Sequence, residues 1–107
     1  MNRNLLAACS LMLIAAAPAG ASDADPGQRL SQPCIACHGP DGNSPQPDFP
    51  KLAGQHPDYL AKALKDYKSG ARKSPIMAPM VANLSPRDIQ ELAAWYSKQK
   101  GLVTPPH

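Results

Sequence analysis

The sequence predicts an all-α domain with three main helices. Two segments repeat apolar residues at intervals of three and four, which is the spacing of one face of an α-helix. These are Leu60, Ala63, Leu64 and Tyr67, and then Ile89, Leu92, Ala93 and Tyr96. No stretch of the sequence shows the alternation of apolar and polar residues that is typical of a half-buried strand.

The first helix is predicted to start at Asp25, a capping acid, with Pro26 at its first position, and to run into Cys34. Pro33 has no N–H to donate and disfavours a helical conformation of the residue before it. We therefore expect the helix to be distorted there. The second helix is predicted over residues 57–69, where the first apolar stripe lies.

The third helix is predicted to start at Ser85, a serine cap followed by proline, with the acid Asp88 three residues further on. Gly101 is predicted to close it. The connections over residues 39–55 and 71–84 are rich in turn-forming residues and are predicted to be loops. Loops of such length in a compact domain are usually functional.

Residues 1–21 are predicted to be a secretory signal peptide, which leaves residues 22–107 as one exported domain. The segment from Leu5 to Ala17 is almost wholly apolar, and Ala19 to Ala21 forms an A-x-A cleavage site. The apolar run is shorter than the roughly 20 residues of a membrane span, and no second run follows it. The tail over residues 104–107 is expected to fray.

Cys9 offers a second interpretation of the N-terminus, because residues 6–9 resemble the processing box of a lipoprotein. Only Leu5 and Leu6 stand before that box as apolar residues, whereas a signal peptide needs an apolar region of about 7 or more. The apolar run also continues beyond Cys9. We therefore assign Cys9 to the apolar region and expect a periplasmic protein without a lipid anchor.

The composition indicates that something other than side chains completes the core. Removal of the signal peptide leaves Cys34 and Cys37, too few for a disulfide framework. The chain has one phenylalanine, one tryptophan and 13 prolines, which is a small apolar core for a domain of this size. Its formal net charge of +3 is too mild to indicate a nucleic-acid partner.

Residues 34–38, Cys-Ile-Ala-Cys-His, form the C-x-x-C-H motif that attaches c-type haem. Each thiol adds to one vinyl group, and His38 then lies beneath the iron as its proximal ligand. A thioredoxin-like pair would need a strand–helix unit, which the sequence lacks, and a structural zinc site would need four ligands. We therefore expect one covalently bound haem c, attached through Cys34 and Cys37, with His38 as an iron ligand.

A haem that shuttles electrons needs a sixth ligand, and methionine paired with histidine raises the reduction potential. Met77 and Met80 are the two candidates, because Met1 and Met12 leave with the signal peptide. Both stand in the proline-containing segment 71–84. The residues alone leave the choice between them open.

The sequence resembles class I cytochromes c, and in particular one half of the dihaem periplasmic cytochromes of the c-four type. The resemblance covers nearly all of residues 25–100 and includes spaced loop residues as well as the haem motif. It is carried by residues 34–45, 49–55, 59–60, 70–72, 76–80, 84–85 and 88–89. Those proteins carry two such halves and this chain carries one, so properties that depend on two haems are not expected of it.

The resemblance implies roles for three further residues. In the family the ligating methionine stands seven residues before the leucine that precedes the last helix, which here is Met77. A proline after the haem motif gives its carbonyl to the ligand histidine, and Pro50 matches that position. A glycine in the first helix allows the last helix to cross it closely, which implies that Gly27 faces Trp95 or Tyr96.

We therefore expect the class I cytochrome c fold, with three main helices around one haem, and a periplasmic carrier of single electrons that is not an enzyme. Its partners are expected to be an oxidase, a reductase or a dehydrogenase, and a homodimer is left open. Two other functions stay open. A catalytic or gas-sensing haem protein would leave the sixth position free, and a permanent subunit would stay bound to a dehydrogenase or oxidase.

Overall fold

A computed structural model describes residues 10–12 and 25–106, and this part of the chain is helical with no strand. None of its helices is long and apolar enough to cross a membrane. Apart from residues 10–12, the predicted signal peptide lies outside the described residues. The helices are α1 Pro26–Leu30, a 3₁₀ turn Gln32–Cys34, α2 Ile35–His38, α3 Pro57–Ser69, α4 Met77–Val81 and α5 Pro86–Ser97.

The first predicted helix is divided into three short helical pieces. The carboxylate of Asp25 accepts a hydrogen bond from the N–H of Gly27 at 2.9 Å, so the predicted cap is confirmed. The chain then tightens into a 3₁₀ turn that contains Pro33 before α2 begins at Ile35. The expected distortion at Pro33 is confirmed.

The later helices agree with the sequence except at two points. Helix α3 spans the predicted residues and ends at Gly70, which adopts the left-handed conformation with φ 85°. Ser85 and Asp88 form a reciprocal capping box at the start of α5, which ends at Ser97 rather than near Gly101. Helix α4 was not expected, because its five residues are too few to show an apolar period.

The close crossing of α1 and α5 organises the fold. A Cβ atom on Gly27 would lie 2.3 Å from the carbonyl oxygen of Glu91 and 2.4 Å from Cβ of Trp95. The expected glycine contact is therefore confirmed, and Trp95 is the aromatic residue that faces it. The core beside this crossing is made by Leu60 and Ala61 of α3 with Ile89, Leu92, Ala93 and Tyr96 of α5.

The chain after α5 returns to the loop of residues 39–55 and binds to it. The N–H of Leu102 donates to the carbonyl of Ala53 at 2.7 Å, and the Thr104 hydroxyl donates to the carbonyl of Gly54 at 3.1 Å. The side-chain amide of Asn43 donates to the carbonyl of Lys100 at 2.7 Å. The expectation that the tail frays is wrong for Thr104, because long-range hydrogen bonds hold it.

The crossing predicts a large effect for a small substitution. Gly27→Ala should lower the free energy of unfolding by about 3 kcal/mol, since the methyl group meets backbone and Cβ atoms of α5 that cannot rotate away. Chemical denaturation of the haem-loaded protein measures this. Gly70→Ala is the control: nothing lies within 4 Å of its Cβ, so only its positive φ costs about 1 kcal/mol. Equal losses in the two variants would contradict the close crossing.

Candidate haem site

A cavity of about 460 Å³ lies between the helices, and its walls are largely apolar. Every major segment contributes to the wall. The first helical region contributes Cys34, Cys37 and His38, and the following loop contributes Phe49, Pro50 and Leu52. Helix α3 contributes Tyr59, Leu60, Leu64 and Tyr67. The α4 region contributes Ser74, Met77 and Met80, and α5 contributes Leu92 and Tyr96. All five residues that the sequence nominated for the site therefore meet at one cavity.

The motif residues lie on one wall of this cavity because the 3₁₀ turn leads directly into α2. Cys34 and Cys37 are half-buried, and His38 is buried with 6% of its surface exposed. The Cys34 thiol sits deep enough that burial raises its pKa. The motif thus presents two thiols and one imidazole from a single turn of chain.

The imidazole of His38 is held by a backbone carbonyl. Its Nδ1 lies 2.9 Å from the carbonyl oxygen of Pro50, which has only an acceptor to offer, so Nδ1 carries the proton and donates it. The other ring nitrogen, Nε2, is then left with its lone pair. The ring of Phe49 packs edge-on against the imidazole at 6.5 Å between centroids.

The loop that carries Pro50 is fastened to α5. The carbonyl of Gly42 accepts from the N–H groups of Leu52 and Ala53, at 2.8 and 3.2 Å. Gly42 has φ 84°, and a Cβ atom on it would lie 2.7 Å from the ring of Tyr96. Only glycine allows this approach, so the loop and the Pro50 carbonyl are positioned by contact with the last helix.

The two candidate methionines both line the cavity but differ in burial. Met77 is half-buried at the start of α4, and Met80, one turn later, is 43% exposed. Residues three positions apart share one face of a helix, so both methionines can approach the cavity and only their burial distinguishes them. The difference in burial therefore favours Met77 as the residue that faces the interior.

Tyr96 lines the cavity, whereas the sequence placed it on an apolar stripe and as a candidate neighbour of Gly27. It is 4% exposed, and its hydroxyl is buried with no hydrogen-bond partner among the described residues. Burial, and next the neighbouring Cys34 thiol, raise the pKa of its phenol above the usual range. A buried hydroxyl without a partner is costly, and this one lines the cavity.

Arg72 and Tyr67 form a second polar feature that the sequence did not indicate. The guanidinium of Arg72 lies 4.8 Å from the centroid of the Tyr67 ring, and both side chains line the cavity. A hydrogen bond with Tyr59 raises the pKa of Arg72. Arg72 is therefore a charged residue in the wall of a largely apolar cavity.

A Cys-x-x-Cys-His turn on the wall of an apolar cavity, within this helical fold, defines a domain that binds c-type haem. The chain belongs to the cytochrome c family, whose model matches residues 24–100. It is 43% identical over 112 residues to cytochrome c4 of Stutzerimonas stutzeri, covering 96% of this chain and 53% of that one. It is also 40% identical over 101 residues to the thiosulfate dehydrogenase electron acceptor of Thiomonas intermedia (strain K12), covering 94% of this chain and 45% of that one.

The solved structures support the same assignment. Reduced cytochrome c4 from Pseudomonas stutzeri superimposes with a TM-score of 0.70 at 48% identity, covering 76% of this chain and 47% of that one. The chain spans about half the length of the curated relatives named above. It is therefore similar to one domain of a dihaem protein. The predicted class I cytochrome c fold and the resemblance to c-four cytochromes are confirmed.

The residues present fit haem c, the cofactor of this family, and the single motif provides for one such group. Two thiols three residues apart can form both thioethers, and the free Nε2 of His38 is the donor that haem iron takes from histidine. The buried hydroxyl of Tyr96 supplies a polar contact within the same cavity. The donor set and the apolar wall are thus both suited to this group.

The Tyr96 phenol predicts a dependence of stability on alkaline pH. Its pKa in the folded protein lies above the ordinary value of about 10. The neutral phenol therefore favours the folded state below about pH 10, and this contribution is lost as the pH rises toward the folded pKa, by up to about 1.4 kcal/mol per pH unit. Tyr96→Phe should make the loss of unfolding free energy between about pH 9 and pH 11 less steep.

Denaturation of the haem-loaded protein at several pH values measures this slope. Tyr59→Phe removes a phenol that is 49% exposed, and it shows how much of any change comes from the loss of a phenol as such. A Tyr96→Phe variant that loses stability as steeply as the wild type would contradict the role of burial.

Proposed function

We propose that this chain is a periplasmic carrier of single electrons whose one haem c is ligated by His38 and Met77. The observation that carries the proposal is the hydrogen bond from Nδ1 of His38 to the Pro50 carbonyl, at 2.9 Å. This contact fixes the orientation of the ring, places a proton on Nδ1 and raises the basicity of Nε2. His38 is therefore prepared as a permanent axial ligand.

Burial supports Met77 as the second ligand. Met77 is half-buried at the cavity, whereas Met80 has 43% of its surface exposed. A thioether opposite an imidazole favours the reduced iron and raises the potential. If His38 and Met77 both bound the iron, no position would be left for a substrate, which supports a carrier rather than an enzyme.

The chemistry supplied by the bound haem is a one-electron change between ferric and ferrous iron. The chain holds both axial ligands, keeps water out with the apolar wall around Leu60, Leu64 and Leu92, and retains the proton on Nδ1 of His38. No proton has to move at these residues when the electron does. One relative is named as the electron acceptor of thiosulfate dehydrogenase, which supports a dehydrogenase as the electron donor of this chain.

Export is the second part of the proposal. The apolar segment 5–17 and the A-x-A sequence at 19–21 support cleavage after Ala21, which would make residues 22–107 the working domain. The intact mass of the protein recovered from a periplasmic fraction should equal residues 22–107 plus one haem. A mass that includes residues 1–21, or a lipid attached at Cys9, would contradict this assignment.

The ligand assignment is tested with a pair of variants. Met77→Ala should abolish the weak long-wavelength band that methionine–iron bonding gives the oxidised protein. It should also lower the potential and let azide bind readily. Met80→Ala should keep the band and leave azide binding at the wild-type level. Absorption spectra of both oxidation states and an azide titration measure these outcomes.

The reverse result would exchange the two methionines. If both variants keep a closed low-spin site, a third residue is the ligand and the proposed carrier site is wrong. If the wild type itself binds azide readily, the sixth position is open, and a catalytic or sensing haem protein becomes the better description.

A further inference from the structure

The side-chain and backbone oxygens of Ser74 both accept hydrogen bonds from the turn that carries Met77. Its hydroxyl oxygen accepts from the N–H of Met77 at 3.0 Å, and its carbonyl accepts from the N–H of Ala78 at 3.0 Å. The side chain is half-buried and lines the same cavity as Met77. Pro75 follows and has no N–H of its own to satisfy. The arrangement has the form of a serine cap with proline at the first position of the turn.

We propose that Ser74 is a positioning residue for the Met77 thioether. The inference rests on the proposed function, in which Met77 ligates the iron. Helix α4 has only five residues, and a helix so short has little stability of its own. Two neighbours of Met77 on this turn are exposed, Ile76 at 58% and Met80 at 43%. Packing therefore restrains this turn weakly on its outer side.

The two ends of this turn are held by buried or hydrogen-bonded groups. At the far end Val81 is 1% exposed, and its carbonyl accepts from the N–H of Leu84 at 3.1 Å. At the near end the Ser74 hydroxyl is the partner of the Met77 N–H, which is one of the donors that the first turn of a helix leaves unsatisfied. Loss of that hydroxyl would free the end of α4 on which the thioether stands.

Ser85 provides a matched comparison within the same chain. Its hydroxyl accepts from the N–H of Asp88 at 3.0 Å and it too is followed by proline, although Asp88 also accepts a hydrogen bond in return from the Ser85 N–H. Helix α5, however, has twelve residues and carries neither proposed ligand. Removal of either hydroxyl deletes one cap. Only removal of the Ser74 hydroxyl should change the bond to iron.

The experiment compares Ser74→Ala, Ser74→Thr and Ser85→Ala in the haem-loaded protein, with imidazole as the probe of the sixth position. Imidazole must displace Met77, so loss of a cap hydrogen bond should raise its affinity for ferric protein about fivefold, which is the equilibrium factor of a typical cap. The methionine–iron band should weaken in Ser74→Ala at the same time. Ser74→Thr keeps a hydroxyl and should restore both readouts. Ser85→Ala should match the wild type in both.

Equal imidazole affinities for Ser74→Ala, Ser85→Ala and the wild type would overturn the proposal, since Ser74 would then be only a cap. If Ser74→Ala fails to take up haem, the result depends on Ser74→Thr. A wild-type imidazole affinity in Ser74→Thr supports the role of the hydroxyl. An imidazole affinity as high as that of Met77→Ala overturns it. The ligand assignment is read separately. If the methionine–iron band survives in Met77→Ala, the proposed function and this inference are both wrong. If the band is lost in Met77→Ala and kept in Ser74→Ala, the ligand assignment stands and only this inference is wrong.

Discussion

The fold depends on one cavity that its helices surround and do not fill. Leu60, Leu92 and Tyr96 belong both to the buried core and to the cavity wall. Several of the other buried core residues are alanines, at positions 53, 61 and 93, which add little apolar volume. The haem that this family binds therefore supplies much of the interior, and the free energy of binding it is also free energy of folding.

Within that constraint, one rigid contact sets the position of the site. Gly27 lets α1 and α5 cross with their backbones almost in contact, and the Cys-x-x-Cys-His turn follows directly from α1. Helix α5 in turn holds the loop of residues 39–55, because Gly42 lies against Tyr96 and the N–H of Gly54 donates to the Tyr96 carbonyl at 3.0 Å. The same helix crossing therefore positions both His38 and the Pro50 carbonyl that orients it.

The segment that carries His38 and the helix that carries Met77 differ in how firmly they are held. His38 is buried, hydrogen-bonded and part of a chain segment that the helix crossing holds. Met77 stands on a five-residue helix whose outer side is exposed and whose ends are held by a hydrogen bond and by one buried valine. Because local stability follows burial and hydrogen bonding, the α4 side of the site is expected to open at a lower free energy than the His38 side. In the proposed carrier both residues stay bound to iron, so the contacts that hold the ends of α4 are important.

The sequence by itself determined the features that depend on local chemistry. The haem motif, the caps at Asp25 and Ser85, the distortion at Pro33 and the span of α3 follow from neighbouring residues, and the structure agrees with each. The resemblance to a family added Pro50 and Gly27, whose contacts the structure also contains. These features are predictable because backbone donors, proline and apolar spacing act within a few residues.

Only the tertiary structure decided the remaining features. Met77 and Met80 stand three residues apart and both line the cavity, yet Met77 is half-buried and Met80 is exposed. The buried hydroxyl of Tyr96 and the contact of Thr104 with the loop depend on segments far apart in the chain. Such contacts are set by how closely and at what angle the helices cross, and no periodicity within one segment encodes that distance.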